Sequence, residues 1–307
     1  MNRFLIVIFI LFCFKTEAQT SVLIVADSLF ANGNYSKAIE TYKTYNNREE
    51  VYHKMAKAYK AIGNYDQALL YYENSIKAYP DNILVKYEYA KLLSKTKKFE
   101  KASSVFNQLI VIDSLNPNYH YELGLILETQ QDSLSIVEYK KSFQLDSEHQ
   151  KAIYKVAKYM LQKRKHDSVD YYLDFGLKTY ENNLELISLK AQNYYWQHEY
   201  EEAIFYFEKL IILGESSQFI HEKLSFSYSE AYQPEKSIEH ILIALKYDPK
   251  NTTNLFILGQ LYEDVKNYTL AEQYYKIAIA IDDVPLDYEY SRLGRVLNFQ
   301  KKISRSY

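Results

Sequence analysis

The chain is poor in cysteine, proline and glycine, and each shortage excludes a class of structure. Cys13 is the only cysteine among 307 residues, so the chain has no internal disulfide and no thiolate cluster to bind a metal. Five prolines and seven glycines are too few for a fold of short strands and tight turns. The formal net charge of −2 supplies no basic field for nucleic acid or anionic lipid. We therefore expect a helical protein that does not bind nucleic acid.

Motifs of known chemistry are also missing. The sequence has no Gly-x-Ser-x-Gly nucleophile turn, no glycine-rich phosphate loop and no His-Glu-x-x-His pair. Seven histidines are scattered, and no two stand three or four residues apart, as two ligands on one helical face would. The paired acids Glu201-Glu202 and Asp282-Asp283 fall at a predicted helix start and in a predicted loop. We predict a protein that is not an enzyme, with no catalytic residue, metal site or cofactor.

The first 18 residues have the composition of a secretory signal peptide. A basic start at Arg3 precedes an unbroken apolar run over residues 4–14, and the small residues Thr16 and Ala18 precede a predicted cut before Gln19. The apolar run is about half the roughly 20 residues that span a membrane. We therefore predict an exported protein without a membrane span after cleavage, located in the periplasm, associated with the envelope, or secreted. The alternative is an uncleaved anchor that tethers the chain to the inner membrane.

One stretch, residues 49–82, shows how most of the chain is built. It reads EEVYHKMAKAYKAIGNYDQALLYYENSIKAYPDN and contains two helical patterns joined at Gly63. Pro80 ends the second pattern, because proline has no N–H to donate and disfavours helical geometry in the residue before it. Neither short helix can bury its apolar stripe alone, so the stretch needs neighbours. Similar stretches recur with a period of about 34 residues.

The recurring positions alternate small and large side chains. Small residues let two helix backbones approach closely, and a large residue one turn later fills the space beside them. The small residues of the first helices are Ala26, Ala56, Ala90, Gly124, Ala157, Ala191, Ser225, Gly259 and Gly294. The second helices open with the small residues, or modest substitutes, Ala38, Ala68, Ala102, Ser135, Val169, Ala203, Ser237 and Ala271. The large residues that follow are Tyr42, Tyr72, Phe106, Tyr139, Leu173, Phe207, Ile241 and Tyr275.

This pattern of small residues, a Gly-x-Tyr turn, aromatic residues and a terminal proline resembles the tetratricopeptide repeat (TPR). The resemblance implies an all-α, right-handed superhelical solenoid of about eight helix-turn-helix repeats over residues 19–299. The repeats are expected at residues 19–48, 49–82, 83–116, 117–149, 150–183, 184–217, 218–251 and 252–285. A capping helix at 287–299 would cover the open end of the last repeat, and residues 300–307 would form a polar tail.

In this family the first helices line a concave groove, which implies a surface for binding a protein or peptide. The candidate peptide-binding residues in that register are Tyr87, Tyr121, Tyr154, Lys158, Tyr195, Phe226 and Phe256. The first half of the groove is rich in tyrosine and, through Lys57, Lys91 and Lys158, basic, which suits an acidic or polar peptide. The alternative is that a row of tyrosines arises from composition alone, because 33 of the 307 residues are tyrosine.

We predict a non-catalytic scaffold or assembly factor of the bacterial cell envelope that binds an unidentified protein or peptide. Two alternatives stay open: an envelope enzyme or carbohydrate-binding protein with a pocket between repeats, and a membrane-tethered sensor with an uncleaved anchor. A composition rich in Tyr, Asn, Lys and Ile resembles that of exported Bacteroidota proteins. Four Asp-Ser-Leu or Asp-Ser-Val tripeptides resemble O-glycosylation acceptors of that phylum, or else they cap helices. They begin at Asp27, Asp113, Asp132 and Asp167.

Overall fold

The computed structural model describes residues 21–282 and 287–304, and every regular element within these ranges is an α-helix. The all-α prediction is therefore confirmed. The predicted signal peptide, residues 19–20 of the first predicted repeat, residues 283–285 of the last one with the following residue 286, and residues 305–307 of the predicted tail lie outside the described ranges. Among the described residues, no helix combines the length and the apolar character that crossing a membrane requires.

The helices follow one another in pairs, and the chain divides into two compact units after Asp146. The first unit contains α1 (21–31), α2 (Tyr35–Lys43), α3 (Arg48–Ala61), α4 (Tyr65–Ala78), α5 (Ile83–Lys95), α6 (Phe99–Ile112), α7 (Pro117–Thr129) and α8 (Ser135–Leu145). The second unit contains α9 (Gln150–Gln162), α10 (His166–Thr179), α11 (Leu184–Gln197), α12 (Tyr200–Ile212), α13 (Gln218–Glu230), α14 (Pro234–Tyr247), α15 (Thr252–Asp264), α16 (Tyr268–Ile281) and α17 (Asp287–Ser304). Over the described ranges, odd-numbered first helices and even-numbered second helices form eight pairs, followed by α17.

Within a pair, the predicted small and large positions meet in the core. Ala56, Ala68 and Tyr72 are all fully buried and belong to one apolar cluster. In the eighth pair, Gly259 lies so close to the ring of Tyr275 that an added Cβ atom would come within 2.6 Å of it. The alternation of small and large residues therefore sets how closely the two helices of a pair approach.

The turn inside each pair places one residue in the left-handed backbone region. In the first two pairs this residue is Gly33 or Gly63, with φ of 77° and 79°. In the other six described pairs it carries a side chain, at Lys97, Gln131, Arg164, His198, Tyr232 and Lys266. The turn geometry is therefore common to all eight pairs, although glycine marks it in only two.

Buried tyrosine hydroxyls donate to carboxylates across the two helices of a pair. Tyr139 donates to Glu128 at 2.8 Å, and Tyr275 donates to Glu263 at 2.9 Å. Burial raises the pKa of both phenols above its ordinary value, and the neighbouring carboxylate raises it further. These hydroxyls therefore stay protonated and act as donors inside the fold.

Helix α17 is attached to the eighth pair by an ion-pair cluster around Glu263. The Glu263 carboxylate, only 6% exposed, lies 2.5 Å from Nη2 of Arg295 and 3.3 Å from Nη1 of Arg292. Tyr275 donates to the same carboxylate, and the fully buried Val296 joins the apolar core of the pair. The last helix therefore covers the end of the eighth pair, as a capping helix does.

Two of the Asp-Ser tripeptides have a capping role in turns. The carboxylate of Asp113 accepts a hydrogen bond from the backbone N–H of Leu115 at 3.3 Å, and that of Asp132 accepts one from Leu134 at 2.8 Å. Such bonds satisfy donors that precede a helix, so the capping explanation accounts for both aspartates. Glycosylation of the neighbouring serines stays a prediction.

Candidate functional site

The lysines expected to make the first unit's binding face basic are neutralised by the chain itself. The ammonium of Lys57 lies 3.3 Å from Glu88, and that of Lys91 lies 2.9 Å from Glu122. Each lysine of α3 or α5 thus meets a carboxylate on the next first helix. The expectation of a basic face in this unit was wrong, because it counted the lysines without the carboxylates that pair with them.

Tyr87 and Tyr121, the first two candidates, are half-buried in the packing of the first unit. The Tyr87 ring lies 5.6 Å from that of Tyr119, and its hydroxyl donates to Glu122 at 3.3 Å. The Tyr121 ring lies 5.8 Å from that of Tyr139. Both rings contribute to helix packing, so only part of each is available to a partner.

Tyr154 and Lys158 lie together on α9 in the second unit. The Lys158 ammonium lies 3.4 Å from the Tyr154 hydroxyl and 5.5 Å from the centre of its ring. Tyr154 also lines a shallow depression of about 340 Å³ with Ser188 and Gln192 of α11. This arrangement presents an exposed ammonium beside a half-buried ring.

Tyr195 and Phe226 belong to a larger aromatic group on α11 and α13. Their ring centres are 5.6 Å apart, and Phe226 is 43% exposed. The Lys223 ammonium lies 4.3 Å from the centre of the Tyr195 ring and 5.7 Å from that of Trp196. Trp196 is the chain's single tryptophan and is 53% exposed. Half-exposed aromatic side chains of this kind are the usual anchors of protein interfaces.

Beside this aromatic group, a cavity of about 550 Å³ opens between α13 and α15. Tyr195, Lys223 and Phe226 form one wall, and Ile257 and other α15 residues form the opposite wall. At its floor lie residues of α14, whose Ser237 hydroxyl bonds the backbone carbonyl of Ser225 at 2.7 Å. The Ser225 and Ser237 hydroxyls also bond each other, so the polar groups left for a ligand lie on the walls of the cavity and not at its floor.

The cavity lies where the seventh pair lacks the tyrosine–glutamate pair that the fourth and eighth pairs have. In the fourth and eighth pairs a tyrosine ring fills this space and its hydroxyl bonds a glutamate on the first helix. The equivalent positions in the seventh pair hold Ile241 and Ser229, and both line the cavity. Two smaller side chains therefore stand where Tyr275 and Glu263 stand one repeat later.

Charged side chains surround the cavity, and only some of them have a hydrogen-bond or ion-pair partner within the described chain. Glu222 accepts hydrogen bonds from Asn254 at 2.7 Å and from Gln218 at 2.8 Å. Lys223, Glu230 and Asp264 have no ion-pair partner in the part of the chain that the structure describes. Burial lowers the pKa of Lys223, an effect that Glu222 opposes.

The structure places Phe256 in the core instead of on the predicted binding face. The residue is 5% exposed, and its ring centre lies 4.9 Å from Tyr275 and 5.1 Å from Tyr288. Tyr288 belongs to α17, so the capping helix covers a position whose equivalents in earlier repeats are partly exposed to solvent. Phe256 is therefore a packing residue, and the prediction that it contacts a bound peptide was wrong.

Two histidines that the sequence keeps apart meet between α13 and α14. The Nδ1 atoms of His221 and His240 are 2.9 Å apart, and Ser216 lies 2.9 Å from the other ring nitrogen of His221. Burial lowers the pKa of both imidazoles. Spacing along one helix could not reveal this contact, because it joins two helices. Over residues 21–282 and 287–304, no three His, Cys, Asp or Glu side chains converge as a metal site would need.

Family comparisons agree with the repeat architecture. Tetratricopeptide repeat models match residues 59–123, in the first unit, and residues 227–284, in the second. Both units have the tetratricopeptide-repeat fold. Repeats of this family are generally non-catalytic. A comparison with curated proteins finds no match for the sequence.

Solved TPR structures resemble the chain in fold. A tetratricopeptide repeat protein from Parabacteroides merdae matches with a TM-score of 0.53 at 13% identity, over 81% of this chain and 98% of its own. YrrB, described as a TPR protein with an unusual peptide-binding site, gives 0.53 at 16% identity, over 60% of this chain and 95% of its own. PilW, described as a widely conserved type IV pilus biogenesis factor, gives 0.51 at 16%, over 66% and 95%.

Proposed function

We propose that the protein is a non-catalytic scaffold or assembly factor of the bacterial cell envelope. It binds a segment of another protein on the face formed by the first helices. The observation that carries this proposal is the cavity between α13 and α15, flanked by the half-exposed rings of Tyr195 and Phe226. Tyr154 and Lys158 are further candidate contacts within the second unit. Within the first unit, Tyr87 and Tyr121 are separate candidate contacts through the exposed parts of their rings.

Several observations support binding as the function. TPR folds form protein-interaction scaffolds, and YrrB carries a peptide-binding site by its description. The envelope location rests on the signal-like residues 1–18, and PilW is an example of this fold in a pilus biogenesis factor. The aromatic rings, the ammonium of Lys223 and the amides of α15 together suit a polar segment with a bulky side chain.

Co-purification after mild cross-linking in native cells tests the proposal. We expect Tyr195→Ala with Phe226→Ala to lose the partner from envelope fractions while the helical circular-dichroism signal stays. The matched control is Tyr171→Ala with Phe205→Ala, because these rings are also exposed but lie on second helices. Equal partner recovery from both double variants would contradict the site. N-terminal sequencing tests export, since a mature chain that begins at Gln19 excludes an uncleaved anchor.

A further inference from the structure

The seventh pair departs from its neighbours in a way that leaves a defined volume empty. Tyr275 is fully buried in the eighth pair, and Tyr139 is 3% exposed in the fourth, so this fold readily holds a phenol between paired helices. At the same repeat position Ile241 is shorter than a tyrosine and lies at the floor of the cavity. The space that a tyrosine ring occupies elsewhere in the chain is therefore open to solvent here.

From this we propose that the cavity between α13 and α15 is an anchor site for a tyrosine side chain of the bound segment. The inference rests on the proposed function and specifies its partner. The partner's ring takes the position that Tyr275 takes in the eighth pair, on a floor that includes Ile241. Its hydroxyl reaches acceptors at the end of the cavity, where Ser229, Glu230 and Asp264 lie.

The walls of the cavity suit a phenol better than an acidic or a basic side chain. Tyr195 and Phe226 offer ring edges and faces, and aromatic pairs gain from such contacts beyond their buried area. Glu222, Glu230 and Asp264 oppose an acidic side chain, and the buried floor at Ile241 would strip water from the ammonium of a basic one. A neutral ring with one donor hydroxyl avoids both conflicts and satisfies a carboxylate, as Tyr139 does with Glu128.

Selection from a random nonapeptide display library against the full chain tests the proposal. We expect tyrosine to be enriched at one position of the selected peptides. Selected peptides are then synthesised, and the fluorescence of Trp196, whose ring centre lies 5.7 Å from the ammonium of Lys223, reports their binding. Tyrosine to alanine in the peptide should weaken binding by about ten- to hundredfold, and tyrosine to phenylalanine by about fivefold, as expected for the loss of a ring and of one hydrogen bond.

The decisive variant fills the cavity with the residues of the eighth pair, as Ile241→Tyr with Ser229→Glu. We expect it to raise the melting temperature and to abolish selection of tyrosine peptides, because the chain now supplies the ring itself. Ile241→Leu with Ser229→Ala is the matched control, since it keeps the cavity open and should keep the selection. If the filled variant does not fold, Ile241→Phe alone is used in its place.

The outcomes separate the anchor from the binding function. If the selected peptides lack an aromatic residue and the filled variant still abolishes their binding, the tyrosine anchor is wrong but the proposed function stands. Equal selection on the wild-type and filled chains, or selection on neither, overturns both the anchor and the proposed binding site.

Discussion

Six turn residues with side chains adopt a backbone conformation that favours glycine. A residue with a Cβ atom in the left-handed region costs the folded state roughly 1–2 kcal/mol. Only part of this cost is offset by the lower backbone entropy that such a residue has, compared with glycine, in the unfolded chain. Tyr232 has φ of 57° and is 92% exposed, so its side chain contributes little packing to offset the cost. We expect Tyr232→Gly to stabilise the second unit by about 1 kcal/mol, measured by urea unfolding followed through Trp196 fluorescence.

The neighbouring residue provides the control for this prediction. Ala231 has φ of −84°, an ordinary conformation for any residue, so Ala231→Gly relieves no strain; it adds flexibility to the unfolded chain and removes a methyl group that packs against the core. It should destabilise the same unit by up to about 1 kcal/mol. Stabilisation by both substitutions would show that backbone strain is not the cause.

The His221–His240 contact makes the second unit sensitive to acid. Burial lowers the pKa of both imidazoles below the value of 6.5 for a free histidine. His240 lowers the pKa of His221 further, and Glu239 opposes that shift. The pKa of His240 is also lowered by Lys236, whereas Glu239 and Glu208 raise it. Because the folded pKa is the lower one, the unfolded chain binds more protons as the pH falls below about 6.5. Stability is therefore fully present above that pH and is lost below it. We expect the melting temperature, followed through Trp196, to fall between pH 7.5 and 5.5.

Replacing one imidazole separates this effect from general acid destabilisation. His240→Phe keeps a ring against Tyr228, whose centre lies 5.4 Å from that of His240, and removes one titrating group. The variant should lose less stability between pH 7.5 and 5.5 than the wild type does. His198→Asn, at an exposed turn residue, should keep the full pH dependence. An unchanged pH dependence in His240→Phe would rule out the pair as its source.

At the scale of the element, α17 depends on one carboxylate. Glu263→Gln removes the nearly buried carboxylate that pairs with the partly exposed Arg292 and Arg295. Breaking such a pair costs about 2 kcal/mol once the solvent exposure of the two arginines is taken into account. We expect the amide hydrogens of α17 to exchange faster while those of α15 stay protected, as measured by hydrogen–deuterium exchange.

Glu40→Gln is the control for the α17 prediction. Glu40 pairs with Lys43 on the surface of α2, where an ion pair one turn apart is worth only about 0.2–0.5 kcal/mol. Its loss should leave the exchange of α17 nearly unchanged. Equal effects of the two substitutions would indicate that α17 is held by its apolar contacts instead.

The helices themselves were predictable because their signal is local and repeated. Ala56, Ala68 and Tyr72 recur in type at a fixed period, and such a period is visible without knowing any contact. The tyrosine–carboxylate pairs were not predictable in the same way, because Tyr275 and Glu263 lie on different helices and their meeting depends on how those helices pack. Burial of Phe256 has the same origin, since it requires the position of Tyr288 on α17.

At the scale of the whole molecule, more of the candidate site can be predicted from the sequence when residues of successive repeats are compared with one another. Glu88 follows Lys57 by the same 31 residues as Glu122 follows Lys91, a recurrence that indicates pairing between successive repeats. An alignment of the repeats also shows that Ile241 stands at a position where several other repeats have a tyrosine. What alignment does not show is that the exchange leaves a cavity, because neighbouring side chains could have closed it.

The distribution of paired and unpaired charges predicts which unit contributes most to binding. Lys57 and Lys91 already interact with carboxylates, so removing both should leave the affinity for library-selected peptides unchanged within about twofold and should lower stability by less than about 1 kcal/mol. Lys223→Ala should weaken the same peptides several-fold, because this ammonium lies against the aromatic wall and has no ion-pair partner in the described chain. Fluorescence titrations of the full-length variants measure both effects. A larger loss from Lys57→Ala with Lys91→Ala than from Lys223→Ala would place the principal contact in the first unit, and the cavity would then be secondary.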